Sequence, residues 1–266
     1  MSPRTTRAET NHAFYGREYG RVMSFDLLPS YGPWCICAAA VFLGTILQRL
    51  SGAGFGMIAT PVMTLVATEW VPGTILLLGL IVGVGAVWSA WDAVVVKDLP
   101  PGFTGRVIGA GVAAFIATMV VGSPLLPVIV AGVVLFSVAL TLAGLTVPIT
   151  RTSLMAAGTL GGFMATLTGI GAPPMAILYS SVETRRSAAT QNAFFGFGMV
   201  ISISALAIVG LITSRELAFA ASLAPFIPMG MFFSRPLAKR FERGSIRPWA
   251  LGLATVSALL LIVRSL

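Results

Sequence analysis

The sequence predicts an all-α polytopic membrane protein made of two inverted repeats, each a glycine-broken hairpin followed by three transmembrane helices. Of its 266 residues 56% are hydrophobic and 10% are charged, whereas a soluble domain has about 25% charged residues. The charged residues lie mostly between apolar runs that approach the ~20 residues needed to cross a bilayer. A glycine pair at positions 52 and 54 returns 117 residues later at positions 169 and 171. Together these features predict about eight to ten membrane segments.

The polar residues 1–32 are expected to form a disordered N-terminal tail, and residues 33–266 a single membrane domain. Repeat 1 is expected at about 33–147 and repeat 2 at about 153–264. The short segment 172–181 cannot span the ~30 Å hydrocarbon core, and 33–50, 52–68 and 153–168 are marginal. In order, the predicted apolar segments are 33–50, 52–68, 72–95, 105–121, 124–147, 153–168, 172–181, 188–212, 216–234 and 248–264.

Pairs of apolar segments meet at the two glycine breaks and are interpreted as hairpins. A helix break at membrane depth leaves backbone N–H and C=O groups that lipid cannot satisfy, so it must face protein or a hydrated cavity. Breaks at corresponding places in two halves of a chain indicate the binding site of a transporter. An offset of 117 gives eight identities between the 21 residues 39–59 and their counterparts, at positions Ala39, Ala40, Leu43, Gly44, Leu50, Gly52, Gly54 and Ala59.

Loop charges predict that the two repeats are inverted. Equivalent loops carry opposite bias, as expected when they lie on opposite sides of the membrane. Inversion requires an odd number of membrane crossings between equivalent loops. The three spanning helices supply an odd number only if each hairpin enters and leaves on the same side of the membrane. Arginine-rich loops are placed in the cytoplasm and both termini on the other side. The loop after the first hairpin contains Glu69, and its counterpart contains Glu183, Arg185 and Arg186. The next loop contains Lys97, Asp98 and Arg106, and its counterpart contains Arg215 and Glu216. The third loop is uncharged around Ser123-Pro124, whereas its counterpart contains Arg235, Lys239, Arg240, Arg243 and Arg247.

Composition argues against several other classes of protein. The net charge is +8, and five of the basic residues fall in one short loop between two apolar runs, which membrane topology explains better than binding to nucleic acid. Cys35 and Cys37 have neither zinc-site nor Cys-x-x-Cys spacing and are interpreted as packing residues. The single histidine, His12, lies in the polar tail, and no nucleophile, base or metal-ligand cluster is recognisable. No catalytic residue, metal site or cofactor is therefore predicted, and the chain is not expected to be an enzyme.

Three short motifs resemble the sulfite exporter TauE/SafE family. Residues 167–174, Leu-Thr-Gly-Ile-Gly-Ala-Pro-Pro, are similar to its glycine-rich signature, and residues 51–56 with Pro61 resemble the same signature in the first half. Residues 187–192, Ser-Ala-Ala-Thr-Gln-Asn, resemble its second hallmark. The likeness covers about residues 33–264. It implies a multi-pass permease of the bacterial inner membrane for small anions such as sulfite, organosulfonates or related organic acids, with coupling to a proton or a cation.

The candidate substrate-binding residues lie at the two breaks and just after the second. Helix N-termini offer unsatisfied N–H groups and positive potential to an oxyanion, and glycines allow close backbone approach. Pro173 suits the first turn of a helix that begins there. The alternative is that these glycines serve only tight helix packing. The predicted set is Arg49, Ser51, Gly52, Gly54, Gly56, Thr168, Gly169, Gly171, Gln191 and Asn192.

Several alternatives stay open at this stage. Arg49, the only basic residue between Arg21 and Lys97, attracts the anion or snorkels at a hairpin mouth. Gln191 and Asn192 bind ligand or join helices. Asp92 is interpreted as an interfacial residue rather than a proton carrier. A passive anion channel or a cation or metal-ion carrier is the rival function, although a cation route would need more buried carboxylates. The predicted partners are the anion, the lipid bilayer and a coupling proton or cation, with homo-oligomerisation left open.

Overall fold

The computed structural model describes residues 28–51, 54–88, 90–240 and 247–265, and these contain helices and turns but no β-strand. Short 3-10 turns at Thr68–Trp70, Trp91–Ala93 and Val96–Asp98 join some of the helices. The α-helices of the described residues are α1 (Tyr31–Ser51), α2 (Phe55–Val66), α3 (Gly73–Trp88), α4 (Leu99–Val120), α5 (Leu125–Leu142), α6 (Arg151–Thr168), α7 (Pro173–Leu178), α8 (Thr184–Ile208), α9 (Ser214–Leu223), α10 (Phe226–Arg240) and α11 (Arg247–Ser265).

The prediction of a multi-pass helical membrane protein is confirmed. Within the described residues five helical stretches are long and apolar enough to cross a bilayer, and shorter apolar helices accompany them. Their outward faces carry large apolar side chains such as Phe115, Met119 and Phe232, which suits contact with lipid. The five stretches are Tyr31–Arg49, Val96–Val120, Leu125–Leu142, Thr184–Ile208 and Ser214–Ser234.

The second glycine break is a sharp interruption between α6 and α7. Gly169 ends α6 with a left-handed φ of 78°, a conformation that costs glycine little. Pro173 and Pro174 then open α7, where their missing N–H groups cost no helical hydrogen bond. At the first break α1 ends at Ser51 and α2 begins at Phe55. The predicted site residue Gly52 lies outside the described part of the chain, as do Ala53 and residues 1–27 of the predicted tail.

The two breaks pack directly against each other in the interior. A Cβ atom added to Gly56 would overlap the carbonyl group of Gly169, so only a glycine fits at this contact. Helices α3 and α8 also cross at glycines, since a Cβ on Gly83 would lie 2.8 Å from the Cα of Gly196. Small residues allow this close approach of helix backbones within a membrane. The hairpin tips therefore meet among buried helices rather than at the surface.

One loop assignment made from the sequence is wrong. The comparison of loop charges counts Arg106 with Lys97 and Asp98, although it is the second residue of the predicted segment 105–121; in the structure α4 begins at Leu99 and includes it. Pro100 and Pro101 occupy the first turn of α4, where proline is favoured, so the helix starts six residues earlier than the predicted 105–121. Arg106 therefore lies within a membrane-spanning helix and is buried. Helix α3 is also shorter than predicted, ending at Trp88, and a turn at Ala224 and Pro225 divides the segment predicted at 216–234.

Candidate functional site

Arg106 is a buried cation without a buried counterion among the described residues. Its side chain is 6% exposed, and its Nη1 donates a hydrogen bond of 2.8 Å to the carbonyl oxygen of Gly161 on α6. Its Nε and Nη2 have no partner in the part of the chain that the structure describes. A charge inside a membrane protein is costly and usually faces a cavity or a ligand pathway. The unpaired guanidinium atoms thus leave hydrogen-bonding capacity for a ligand.

Glycines of the second break and of α8 make room for the Arg106 side chain. A Cβ on Gly171, at the second break, would lie 2.6 Å from Nη1, and one on Gly198 of α8 would overlap the guanidinium group itself. Where α4 runs along α6, a Cβ on Gly105 or Gly109 would overlap carbonyl groups of α6. The backbones therefore approach closely enough to enclose a long charged side chain.

A small cavity lies beside this guanidinium group. Its volume is about 10 Å³, which is about the space of one water molecule. Arg106 of α4, Gly171 and Ala172 of the second break, and Gln191 and Phe194 of α8 are among the residues that line it. An oxyanion with four heavy atoms is larger than this cavity. Binding such an anion at this position would require the lining residues to move apart.

Gln191 presents an unpartnered hydrogen-bond acceptor at the same cavity. The residue is 7% exposed, and its Nε2 donates to the Oγ of Ser187 at 2.9 Å. Ser187 in turn donates to the backbone carbonyl of Tyr179 at 3.0 Å. The Oε1 of Gln191 has no partner among the described residues. The cavity thus has cationic donors from α4 and a neutral acceptor from α8.

At the first break the N-terminus of α2 is occupied by a side-chain amide. The Oε1 of Gln48 accepts hydrogen bonds from the backbone N–H groups of Gly54 at 2.9 Å and Phe55 at 3.0 Å. The Nε2 of Gln48 donates to the Oδ1 of Asn192 at 3.0 Å. Gln48 therefore supplies at this helix N-terminus the acceptor that an anion would otherwise supply. This hydrogen bond between Gln48 and Asn192 connects α1 to α8.

The remaining predicted site residues are dispersed. Arg49 is half-buried and its Nη1 approaches the carbonyl of Met231 on α10 at 3.4 Å, away from the residues lining the cavity. Thr168 donates to the Met164 carbonyl in its own helix at 2.7 Å. Gly56 and Gly169 form the contact between the breaks. Ser51 and Gly52 belong to the residues whose side chains or positions the structure does not describe.

Of the predicted set, Gly171 and Gln191 come together at the cavity, whereas Gly54 and Asn192 meet through Gln48. Sequence reasoning missed Arg106, Gln48 and Ser187. A signal for Arg106 was present, because Gly102, Gly105 and Gly109 surround it at helical spacing and mark a face of close packing. Gln48 offered no comparable signal, since its role depends on a backbone turn six residues further along the chain.

Asp92, interpreted from the sequence as an interfacial residue, lies in an exposed turn. Its carboxylate forms an ion pair with Arg185 at the start of α8, and both side chains are more than half exposed. A second exposed ion pair joins Glu69 to Arg215 at 3.0 Å. The two pairs connect short turns between helices rather than the interior. Neither acidic residue lines the cavity beside Arg106.

Apolar spanning helices, interrupted hairpins that meet in the interior and a buried cation beside a small cavity are features of a multi-pass membrane transporter. A model of the family described as "Sulfite exporter TauE/SafE" matches residues 36–261. The chain therefore belongs to the TauE/SafE sulfite exporter family, whose members are permeases rather than enzymes. No curated protein and no solved structure matches the chain.

Proposed function

We propose that this protein carries a small oxyanion across the membrane and binds it between Arg106 and the second glycine break. The observation that supports the proposal is the pair of unpartnered guanidinium nitrogens, Nε and Nη2, on a side chain that is 6% exposed. An arginine presents these donors in a planar fork that matches two oxygens of one anion. Bound anion would neutralise a charge that is otherwise expensive within the membrane.

The other charged groups near α4 support an anionic rather than a cationic substrate. Among the described residues that line the cavity there is no carboxylate. Asp98, at the start of α4, is buried and accepts a hydrogen bond of 2.8 Å from the Oη of Tyr179. It lies eight residues before Arg106, about 12 Å along the helix at 1.5 Å per residue. A cation would meet a positive charge here without a compensating ligand.

The packing favours two repeats of opposite orientation around this site. Helix α4 packs along α6, and α10 packs against α1. Glu69, which follows the first hairpin, pairs with Arg215 before α9, while Arg185, which follows the second hairpin, pairs with Asp92 before α4. The turn after the first hairpin therefore lies on the same side of the membrane as the turn before α9. The turn after the second hairpin lies on the same side as the turn before α4. An inverted repeat predicts this exchange.

The two repeats differ where the proposed substrate binds. Gly109 approaches the carbonyl of Thr159, and Gly230 approaches the carbonyl of Phe42, a residue 117 positions before Thr159. Arg106 and Ile227, each three residues before its glycine, are therefore counterparts. Only the first repeat supplies a charge, so we expect one anion per chain. Alternating access would open the cavity toward each side in turn as the repeats move relative to each other.

The test is flux through purified protein in liposomes, measured with sulfite, thiosulfate, sulfonates and carboxylates. We expect at least one small anion to move, and Arg106→Met to abolish that flux. Arg106→Lys keeps the charge but loses the planar fork and is expected to retain only part of it. The matched control is Arg151→Met, because Arg151 is an exposed arginine at the start of α6.

Flux that is accelerated by anion on the opposite side distinguishes a carrier from a passive channel. If no anion moves, or if Arg106→Met transports as well as the wild type does, the proposal is wrong. Loss of flux in Arg151→Met to the same extent would attribute the effect to net charge rather than to this site.

A further inference from the structure

We propose that the site selects monoanions that also donate a hydrogen bond, because Gln191 requires a donor where Arg106 requires an acceptor. This inference rests on the proposed function and specifies the chemistry of its substrate. The two residues line one cavity, and each is more than nine-tenths buried. Each also has a polar atom for which the described residues offer no partner.

The hydrogen-bond network fixes which end of the Gln191 amide faces the ligand. Ser187 has one hydroxyl proton, and it is donated to the carbonyl oxygen of Tyr179 at 3.0 Å. The Ser187 oxygen can therefore only accept from Gln191, and the amide NH₂ group meets it at 2.9 Å. The carbonyl oxygen Oε1 is left as the free end. Reversing the amide would place two acceptors together unless Ser187 gave up its hydrogen bond to the Tyr179 carbonyl.

A buried acceptor without a donor is costly, and so is a buried guanidinium group without acceptors. A fully deprotonated, donor-free oxyanion would satisfy Arg106 but place its oxygens near Gln191 Oε1. An anion that bears a hydroxyl group, or a protonated acid oxygen as in hydrogensulfite, satisfies both residues at once. The charge balance agrees, because Arg106 is the one formally charged residue among the lining residues that the structure describes. A monoanion neutralises it, whereas a dianion leaves an excess negative charge.

The difference should appear as a preference between two ligands of equal size and charge. We choose 2-hydroxyethanesulfonate and propane-1-sulfonate, which differ by a hydroxyl group in place of a methyl group. Binding to protein in lipid nanodiscs is measured by titration calorimetry at one pH. We expect the hydroxylated sulfonate to bind about fivefold to tenfold more tightly, as one net hydrogen bond implies.

Two variants test the role of the amide. Gln191→Leu removes the acceptor and keeps a side chain of similar size. We expect this variant to bind the two sulfonates equally. Ser187→Ala leaves Gln191 in place but frees its amide to rotate, so the preference should weaken although Ser187 does not line the cavity. A preference that persists unchanged in both variants would overturn the role of Gln191.

The outcomes separate this inference from the proposed function. Equal binding of the two sulfonates by the wild type, or tighter binding of propane-1-sulfonate, overturns the selection for a donor. If Arg106→Met still abolishes binding in that case, the anion site itself stands. If neither sulfonate binds while sulfite is transported in an Arg106-dependent manner, the inference is wrong and the proposed function is retained.

Discussion

The substitution Gly198→Ala tests the site without changing any of its polar groups. A methyl group at position 198 would overlap the guanidinium group of Arg106, whereas the same change at Gly196 meets its nearest atom, the carbonyl carbon of Gly83, at 3.5 Å. Both glycines lie on α8, two residues apart. The pair therefore compares one added methyl group inside the proposed site with one in ordinary van der Waals contact outside it.

The structure indicates how large the effect should be. Overpacking by one methyl group costs about 1–3 kcal/mol if the helices must separate. The cheaper relief is movement of the Arg106 side chain, which would break its 2.8 Å hydrogen bond to the Gly161 carbonyl and misalign its free nitrogens. A hydrogen bond to a charged group is worth about 1.5–3 kcal/mol. Anion affinity is then expected to fall about tenfold to a hundredfold, since each ~1.4 kcal/mol is a factor of ten.

The assay is anion binding and liposome flux for the wild type, Gly198→Ala and Gly196→Ala, with melting temperatures measured in parallel. We expect Gly198→Ala to fold and to lose binding, and Gly196→Ala to resemble the wild type in both measurements. Wild-type affinity in Gly198→Ala would refute the argument that Arg106 must occupy this position. If Gly198→Ala lowers the melting temperature strongly as well as the affinity, the helices separate instead of the Arg106 side chain moving.

Three further predictions concern the framework around the site. Gln48→Met removes the acceptor for two buried N–H groups, so unfolding should become easier by about 1–3 kcal/mol for each orphaned group, measured as a lower melting temperature. Gly109→Ala forces a methyl group into the Thr159 carbonyl and should prevent stable packing of α4 on α6, whereas Gly111→Ala, with open space around it, should be neutral in the same assay. Single cysteines at Ser123 and Ser181, in a protein lacking Cys35 and Cys37, should react with an impermeant reagent from opposite sides of the membrane, and labelling from one side would remove the inverted arrangement.

Controls for these predictions use the same measurements. Gln48→Glu keeps an acceptor for the α2 N-terminus but cannot donate to Asn192, so it should lose less stability than Gln48→Met. A cysteine at Ser214 should label from the same side as Ser123, because the inverted arrangement places both turns on one face.

The segment boundaries that the sequence predicts well are those set by local chemistry. The second break follows from glycine, which adopts the left-handed conformation, and from Pro173, which cannot continue a helical hydrogen-bond ladder. These effects act within a few residues and need no tertiary partner. The start of α4 was missed because Lys97, Asp98 and Arg106 together have the pattern of a charged loop. Prolines at its first turn instead begin the helix at Leu99, and glycines facing α6 bring Arg106 into the buried interior.

The sequence by itself determined that this is a polytopic helical membrane protein with two glycine breaks, because apolar length and backbone preference are local properties. It also indicated Gly171 and Gln191, two residues that line the cavity. Only the tertiary structure decided which charge they accompany, since Arg106 reaches the second break from a helix that begins 99 residues into the chain. Likewise, only folding brings Gln48 to the N-terminus of α2. Burial and hydrogen-bond partners depend on contacts between distant segments, and composition does not contain that information.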